Sequence, residues 1–270
     1  LDQYAVVGNP ITHSKSPSIH AYFAAQTQQM LNYSTLLGDD CEFENQVRDF
    51  FQQGGHGLNV TMPFKERAFA LCDILSQRAK QAGAVNTLLM EKNGNLFGDN
   101  TDGIGMVRDI IDTHQQILTG KRVLILGAGG AVRGVLDPIL SENPESVTIA
   151  NRTVEKAQEL ATHFDCLASS FEGLVGSFDI IINGTSASLS GRLPPLKEEL
   201  IGEQTWCYDM MYDKDRTVFL QWAHEHGAKG ADGLGMLVGQ AAEAFYLWRQ
   251  VRPNIASLVN HMRQQMQVAE

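Results

Sequence analysis

Lys121-Arg122-Val123-Leu124-Ile125-Leu126-Gly127-Ala128-Gly129-Gly130-Ala131-Val132-Arg133-Gly134 is the stretch that decides how the second half of this chain folds. The run Val123 to Leu126 is apolar at every position, as a parallel strand buried on both faces requires. Glycines follow at once and a helix-like segment comes behind them, which is the context a dinucleotide-binding turn needs. Gly127 permits the tight turn, and Gly129 lets the backbone approach a pyrophosphate held by the free N–H groups of the helix start. The third glycine of G-x-G-x-x-G would fall at position 132, where this chain has valine. On the pattern alone, a glycine-rich turn without a ligand stays open.

Working outward, apolar runs recur at Val147 to Ala150, Asp179 to Asn183 and Trp206 to Met210, with helix-like segments between them. That alternation specifies an α/β fold with a doubly wound, Rossmann-like parallel sheet. An NAD site would place an acidic residue at the end of the next strand, to bind the ribose hydroxyls. Here the strand ends Ala150-Asn151-Arg152-Thr153, with Lys156 close behind. A guanidinium makes planar, charge-assisted hydrogen bonds to a ribose 2′-phosphate, so this end favours NADP(H) over NAD. An ordinary polar helix start, with Thr153 opening the helix, is compatible with the same residues.

The first hundred residues also read as α/β. Strands are expected at Tyr4 to Gly8, Tyr33 to Leu37, Gly57 to Val60 and Thr87 to Glu91, with helices over about Glu42 to Gln53 and Phe64 to Ser76. Ser16-Pro17 reads as an N-cap followed by proline at the first helical position, on a helix whose apolar side carries Ile19, Phe23 and Met30. After Gly235 the chain becomes helical through Gln240 to Gln250, breaks at Pro253 and resumes as a polar-faced helix.

Composition bounds what such a chain does. Its 270 residues are 43% hydrophobic and 19% charged, the make-up of a globular protein with one large domain or two ordinary ones. A formal net charge of −10 opposes sequence-independent binding of nucleic acid. No window approaches the roughly 18 to 20 apolar residues of a membrane span, and no secretory leader is evident, so a soluble cytoplasmic protein is expected. Cys41, Cys72, Cys166 and Cys207 lie far apart and read as small core residues, not as a thiolate metal site. His224 and His226 read as a helix end stopped by Gly227. No metal is expected.

Two polar constellations stand out in the first hundred residues. Ser14 and Ser16 flank a helix start, where free N–H groups favour an anion such as a small carboxylate; a plain cap fits equally well. Asn59 and Thr61 alternate on one face of a strand end, and Lys65 follows one helical turn on, with Asn86 and Asp102 at the edges of later apolar segments. Asp102 alone reads as a cap for a helix over about Gly103 to Asp112; with Lys65 it completes an ion pair. Reduction of a ketone needs a proton for the developing alkoxide, and a positioned lysine supplies it.

These residues resemble the shikimate dehydrogenase family over essentially the whole chain. His13-Ser14-Lys15-Ser16-Pro17, Asn59-Val60-Thr61-Met62-Pro63-Phe64-Lys65, Gly83-Ala84-Val85-Asn86-Thr87, Asn100-Thr101-Asp102-Gly103, Gly127 to Ala131 and Asn151-Arg152-Thr153 look like its successive motifs. Asn183-Gly184-Thr185-Ser186, Tyr208-Asp209-Met210-Met211-Tyr212 and Asp232 to Gln240 extend the agreement. The resemblance implies NADPH-dependent reduction of 3-dehydroshikimate to shikimate, in the route to chorismate and the aromatic amino acids. It implies that Ser14 and Ser16 hold the substrate carboxylate with Tyr212 near it, and that Asn59, Thr61, Asn86, Asp102 and Gln240 bind the ring hydroxyls and the carbonyl side. Lys65 is then the acid/base paired with Asp102. Gly127, Ala128, Gly129, Gly130 and Ala131 take the pyrophosphate, Asn151, Arg152 and Thr153 the 2′-phosphate, and Met210 and Gly233 the nicotinamide side.

The implied architecture has two domains. Residues 1–101 with 238–270 form a discontinuous substrate domain with a mixed sheet, residues 102–237 bind NADP, and the active site lies in the cleft. Gly184 and Ser188 stand where alanine and glycine are usual in the family, and Gln77 where an acidic residue is frequent. Two rival readings are a quinate/shikimate dehydrogenase with relaxed cofactor use and a non-catalytic NADPH-binding sensor on the same scaffold. Monomer and homodimer both fit.

Overall fold

A parallel trio opens the chain. The strand β1 (Asp2–Gly8) leads through α1 (Ser16–Thr27) to β2 (Leu31–Leu37), and α2 (Phe43–Gln52) leads to β3 (Gly55–Val60). Next come α3 (Lys65–Leu71), β4 (Ile74–Leu75), α4 (Gln77–Ala82), β5 (Thr87–Met90) and β6 (Leu96–Asp99). The strands make one six-stranded sheet in the order β2-β1-β3-β5-β6-β4. It is mixed: β1 runs parallel to β2 and β3, whereas β5 is antiparallel to β3 and β6. The computed structural model describes residues 1–187 and 191–268, so Ser188 lies outside the described residues. Leu1–Gly105 with Val238–Asn260 form one compact unit, and Met106–Leu237 with His261–Glu270 a second.

The period of two along a strand sorts the first unit's side chains. Ala5, Val7, Leu58 and Val60 pack with Phe43, Val47 and Phe51 of α2 and with Phe64 in one core. Asn59, between Leu58 and Val60, therefore turns to the opposite face, where its carbonyl oxygen accepts from the Tyr33 hydroxyl at 2.6 Å. His20 lies on that face too, stacked on the Tyr33 ring at 4.2 Å and 6°.

Local chemistry moves three expected boundaries. Ser16 is the first residue of α1, not its cap; Lys15 takes the cap position, and the Ser14 hydroxyl accepts the Ser16 N–H at 3.3 Å. Gln28 ends that helix in the left-handed region (φ 55°), which leaves Met30 beyond it and 73% exposed instead of on the apolar face. The expected helix over Phe64 to Ser76 is a helix, a strand and a cap: Asp73 exchanges hydrogen bonds with Leu96, pulling the chain onto β6 as β4, and Ser76 caps α4. Cys41 is exposed, contrary to the core reading; Cys207 is buried.

In the second half, α5 (Asp102–Arg108) runs on into a π-helical turn at Asp109–Thr113. There follow β7 (Arg122–Leu126), α6 (Gly130–Ser141), β8 (Ser146–Ala150), α7 (Val154–Phe164), β9 (Leu167–Ser169), β10 (Phe178–Asn183) and β11 (Ile201–Asp209). Then come α8 (Val218–Glu225), β12 (Lys229–Asp232), α9 (Leu234–Arg249) and α10 (Ile255–Val268). The second sheet has the order β12-β11-β10-β7-β8-β9 and is parallel throughout. Val123 and Ile125 face one core, while Leu124 and Leu126 face another. Both faces are covered, which is why β7 shows no alternation. The sheet edges β9 and β12 are short and partly exposed, so they carry little apolar signal. Arg263 donates to the Asp213 carbonyl and to Asp232, in the second unit. No helix among the described residues is long and apolar enough to cross a membrane.

His20 gives the first unit an acid-sensitive point. It is 1% exposed, and burial drops its pKa from 6.5 to about 3 against a small opposing effect of Asn59. The unfolded chain takes up a proton below pH 6.5 that the folded chain refuses until about pH 3, so stability falls with falling pH across that window. One such group costs about 1.4 kcal/mol per pH unit. Urea unfolding of the wild type should therefore lose about 2 kcal/mol between pH 6.5 and 5 that His20→Phe does not lose. Equal losses in the two proteins would refute the assignment.

Candidate active site

Asp102 is the first residue of α5, and its carboxylate does not cap that helix. One oxygen, Oδ2, lies 2.5 Å from Lys65 Nζ, and the other, Oδ1, accepts from Asn86 Nδ2 at 2.9 Å. Of the two readings of Asp102, the ion pair is the one observed. Lys65 begins α3, where Phe64 supplies no side-chain cap, and its side chain keeps 31% exposure. The ammonium is thus held by a carboxylate and still open on one side.

Asn86 holds that carboxylate through a fully used amide. Its Nδ2 donates to Thr101 Oγ1 (3.0 Å) as well as to Asp102, and its Oδ1 accepts from the Thr101 N–H (2.9 Å) and from Thr87 Oγ1 (2.9 Å). Asn59 Nδ2 in turn donates to Thr87 Oγ1 and to the Asn86 carbonyl, both at 3.1 Å. These donors and acceptors leave no orphan in a region where Asn59, Asn86, Thr87 and Thr101 are all buried. Behind the loop, Arg78 grips Asp99 with two nitrogens at 2.8 and 2.6 Å and reaches Glu243 of α9 at 3.3 Å. Asp99 Oδ1 also accepts from Ser76 Oγ and from the Asn100 N–H.

The other substrate candidates of the first unit lie on neighbouring elements. Ser14 and Ser16 are partly buried at the start of α1. Thr61 follows β3, and its methyl group sits where a side chain on Gly8 would be, 2.3 Å from an ideal Cβ. Gln240 lies on α9 so close to α5 that a Cβ on Gly105 would come within 2.3 Å of its backbone nitrogen. Tyr212, Met210 and Gly233 belong to the second unit. Tyr212 is half-buried after β11, and burial, then Asp232, pushes its phenol above the ordinary value. Gly233 is forced by proximity: a Cβ there would lie 2.2 Å from the Met210 carbonyl.

The glycine turn meets the demands of a dinucleotide. In the order β12-β11-β10-β7-β8-β9, the chain reverses direction of growth between β7 and β10, and Gly127 and Gly184 follow directly on those two strands. Gly127 has φ +104°, a left-handed conformation that glycine alone adopts freely. A Cβ on Gly129 or Gly130 would meet nothing within 4 Å, so space lies open before the first turn of α6, which carries no acidic residue. A pyrophosphate fits that cradle. Val132, at the third-glycine position, is buried, and its Cγ2 lies 2.4 Å from where a Cβ on Gly184 would be. The missing side chain at 184 makes room for the extra one at 132. At the end of β8, Arg152, Thr153 and Lys156 are exposed; Thr153 is the N-cap of α7 without a side-chain bond, and Asn151 Nδ2 donates to its carbonyl at 2.8 Å. Among the described residues neither Arg152 nor Lys156 makes an ion pair.

Sequence reasoning had no hold on Tyr33, an aromatic on a strand that reads as ordinary core. Thr87 and Thr101 each adjoin a candidate residue, Asn86 and Asp102, but only the geometry gives them partners. His224 and His226 fall in the last turn and at the C-cap of α8, with Gly227 at φ +90°.

A doubly wound parallel sheet with a phosphate-sized glycine turn, joined in one chain to a lysine–carboxylate pair, defines a nicotinamide-dependent oxidoreductase. Residues 6–88 match the shikimate dehydrogenase substrate binding domain, residues 109–191 the shikimate/quinate 5-dehydrogenase domain and residues 233–267 the shikimate 5′-dehydrogenase C-terminal domain. The chain is 57% identical to the shikimate dehydrogenase (NADP(+)) of Cellvibrio japonicus, with 98% of each chain covered. It belongs to the shikimate dehydrogenase family. Among solved structures, an Ael1 enzyme from Pseudomonas putida is 47% identical with a TM-score of 0.93, over 97% of this chain and 98% of that one. The shikimate 5-dehydrogenase of Thermus thermophilus, in complex with NADP(H) and shikimate, is 31% identical with a TM-score of 0.87, over 98% of this chain and all (100%) of that one.

The 132/184 exchange makes a testable pair. Gly184→Ala should destabilise the protein by about 1–3 kcal/mol through overpacking against Val132. Val132→Ala in the same chain should recover most of that loss, read by thermal unfolding. Additive losses would show that the two positions do not share the space.

Proposed function

We propose that this chain catalyses the reversible NADPH-dependent reduction of 3-dehydroshikimate to shikimate, a step towards chorismate and the aromatic amino acids, with Lys65 as acid/base. The observation that carries the reading is the 2.5 Å contact of Lys65 Nζ with Asp102, on an ammonium that remains partly open. Membership of the family supplies the substrate and cofactor class. Four cysteines without a disulfide suit a cytoplasmic enzyme.

Bound NADPH supplies the hydride. The chain's own residues supply the rest. As the ketone carbon gains hydride, its oxygen gains charge, and Lys65 Nζ gives that oxygen a proton to complete the alcohol; in the reverse direction Lys65 takes the proton back. Asp102 keeps the ammonium aligned, and Asn86 fixes the rotamer of Asp102 through the 2.9 Å bond to Oδ1. Ser14 and Ser16, at the start of the 12-residue α1, offer hydroxyls to the substrate carboxylate. Thr61, Asn59 and Gln240 line the ring side, with Tyr212 near the carboxylate. In the second unit, Gly127 to Ala131 take the pyrophosphate, Asn151, Arg152, Thr153 and Lys156 the 2′-phosphate, and Met210 and Gly233 the nicotinamide side. The acid/base pair thus falls on the first unit and NADP binding on the second.

Two assays test this. Shikimate oxidation, followed by nicotinamide absorbance, should run with NADP and scarcely with NAD, and Arg152→Ala should raise the KM for NADP about tenfold or more while the KM for shikimate stays. Equal rates with NAD, or comparable turnover of quinate, would favour a quinate/shikimate dehydrogenase. Lys65→Ala should lower kcat by about 10²- to 10⁴-fold with shikimate binding still measurable by calorimetry. An unchanged kcat would remove Lys65 from the acid/base role.

A further inference from the structure

We infer that Tyr33 is a positioning residue for the substrate ring: its hydroxyl fixes the Asn59 amide so that this amide offers the substrate one acceptor lone pair and no donor. The inference rests on the substrate reading above. Asn59 has two amide protons and both are committed, one to Thr87 Oγ1 and one to the Asn86 carbonyl. Its Oδ1 has two lone pairs, and the Tyr33 hydroxyl occupies one at 2.6 Å. The buried His20 ring also bears on Asn59 but makes no hydrogen bond to it, so what remains for a ligand is a single acceptor position, which pairs with an alcohol and repels a carbonyl. A ring hydroxyl is the group that satisfies it.

The direction of this bond is determined at both ends. Burial raises the Tyr33 phenol well above its ordinary value, although the residue as a whole is partly exposed, so at neutral pH the phenol keeps its proton and donates. A reversed Asn59 amide would set its oxygen against the Asn86 carbonyl. From Tyr33 onward every donor points the same way: to Asn59, from Asn59 to Thr87, from Thr87 to Asn86, and from Asn86 to Asp102. Such a one-way chain polarises its members in the same sense and ends on the carboxylate that holds Lys65. His20, stacked on the ring and kept neutral by burial, holds the phenol in its plane.

The test is Tyr33→Phe, which deletes one oxygen. Its KM for shikimate should rise about fivefold to tenfold, with kcat within about threefold of wild type and the KM for NADP unchanged. A second measurement is independent of any loss of stability: kcat/KM for shikimate against ring analogues each lacking one hydroxyl, on wild type and variant. In the wild type one analogue should be penalised through Asn59, and in Tyr33→Phe that penalty should shrink severalfold. Unchanged KM, or the same analogue penalties in both proteins, would overturn the inference while leaving the substrate reading intact. Failure of the wild type to oxidise shikimate would instead remove the reading on which the inference rests.

Discussion

The first unit is organised around the two oxygens of Asp102. One faces Lys65 and the other is held by Asn86, so the carboxylate cannot rotate toward the cation without giving up a buried amide donor. Everything around it serves that division. Arg78 pins Asp99 from α4, Asp99 accepts the Asn100 N–H, and the Asn86 N–H donates to the Asp99 carbonyl. The loop from Asp99 to Asp102 is thereby tied to α4, β5 and α9 at once. Asp99 is 2% exposed and Glu243 5%, and each has a guanidinium against it, Arg78 on Asp99 and Arg252 on Glu243 with Arg78 between the two; an uncompensated buried carboxylate costs several kcal/mol.

In the second unit the corresponding constraint is steric and not electrostatic. Phosphate-binding turns need backbone to approach backbone, and here β7 and β10 are each followed by a glycine whose ideal Cβ position is already contested: Gly127 by the Gly184 backbone at 3.2 Å, and Gly184 by Val132 at 2.4 Å. The motif seen along the sequence tolerates valine at its third position because a residue fifty-odd positions away has no side chain. Spacing rules describe one turn, whereas the space they protect is shared with the neighbouring strand.

This separates what was legible from what was not. Strands buried on both faces announced themselves, because a parallel sheet covered by helices writes an unbroken apolar run. Lys65, Asp102, Asn86, Arg152 and the glycines were legible as chemistry out of place in apolar surroundings. The edge strand β4 was not, because two residues drawn onto β6 by Asp73 carry no period. Nor was Tyr33, whose contribution resides in one hydroxyl and one direction of donation, while its ring behaves like any core aromatic. Long-range partners are set by packing, and a linear pattern has no term for them.

Lys65 shows how such conflicts are resolved. At the first residue of a seven-residue helix, its charge meets the positive end of the macrodipole, an unfavourable placement of about 0.3–1 kcal/mol. Strand β3 and the turn through Pro63 nonetheless deliver it there, since Phe64 must fill the core beside Phe43, stacked at 4.6 Å and 3°. Core packing fixes the backbone, and the next side chain is left at the cluster's edge. Asp102, arriving from a different part of the chain, then offsets the placement with a short charged contact. The local rule is broken where the chemistry needs a cation that is held and still reachable, and the remainder of the unit is arranged to keep it so.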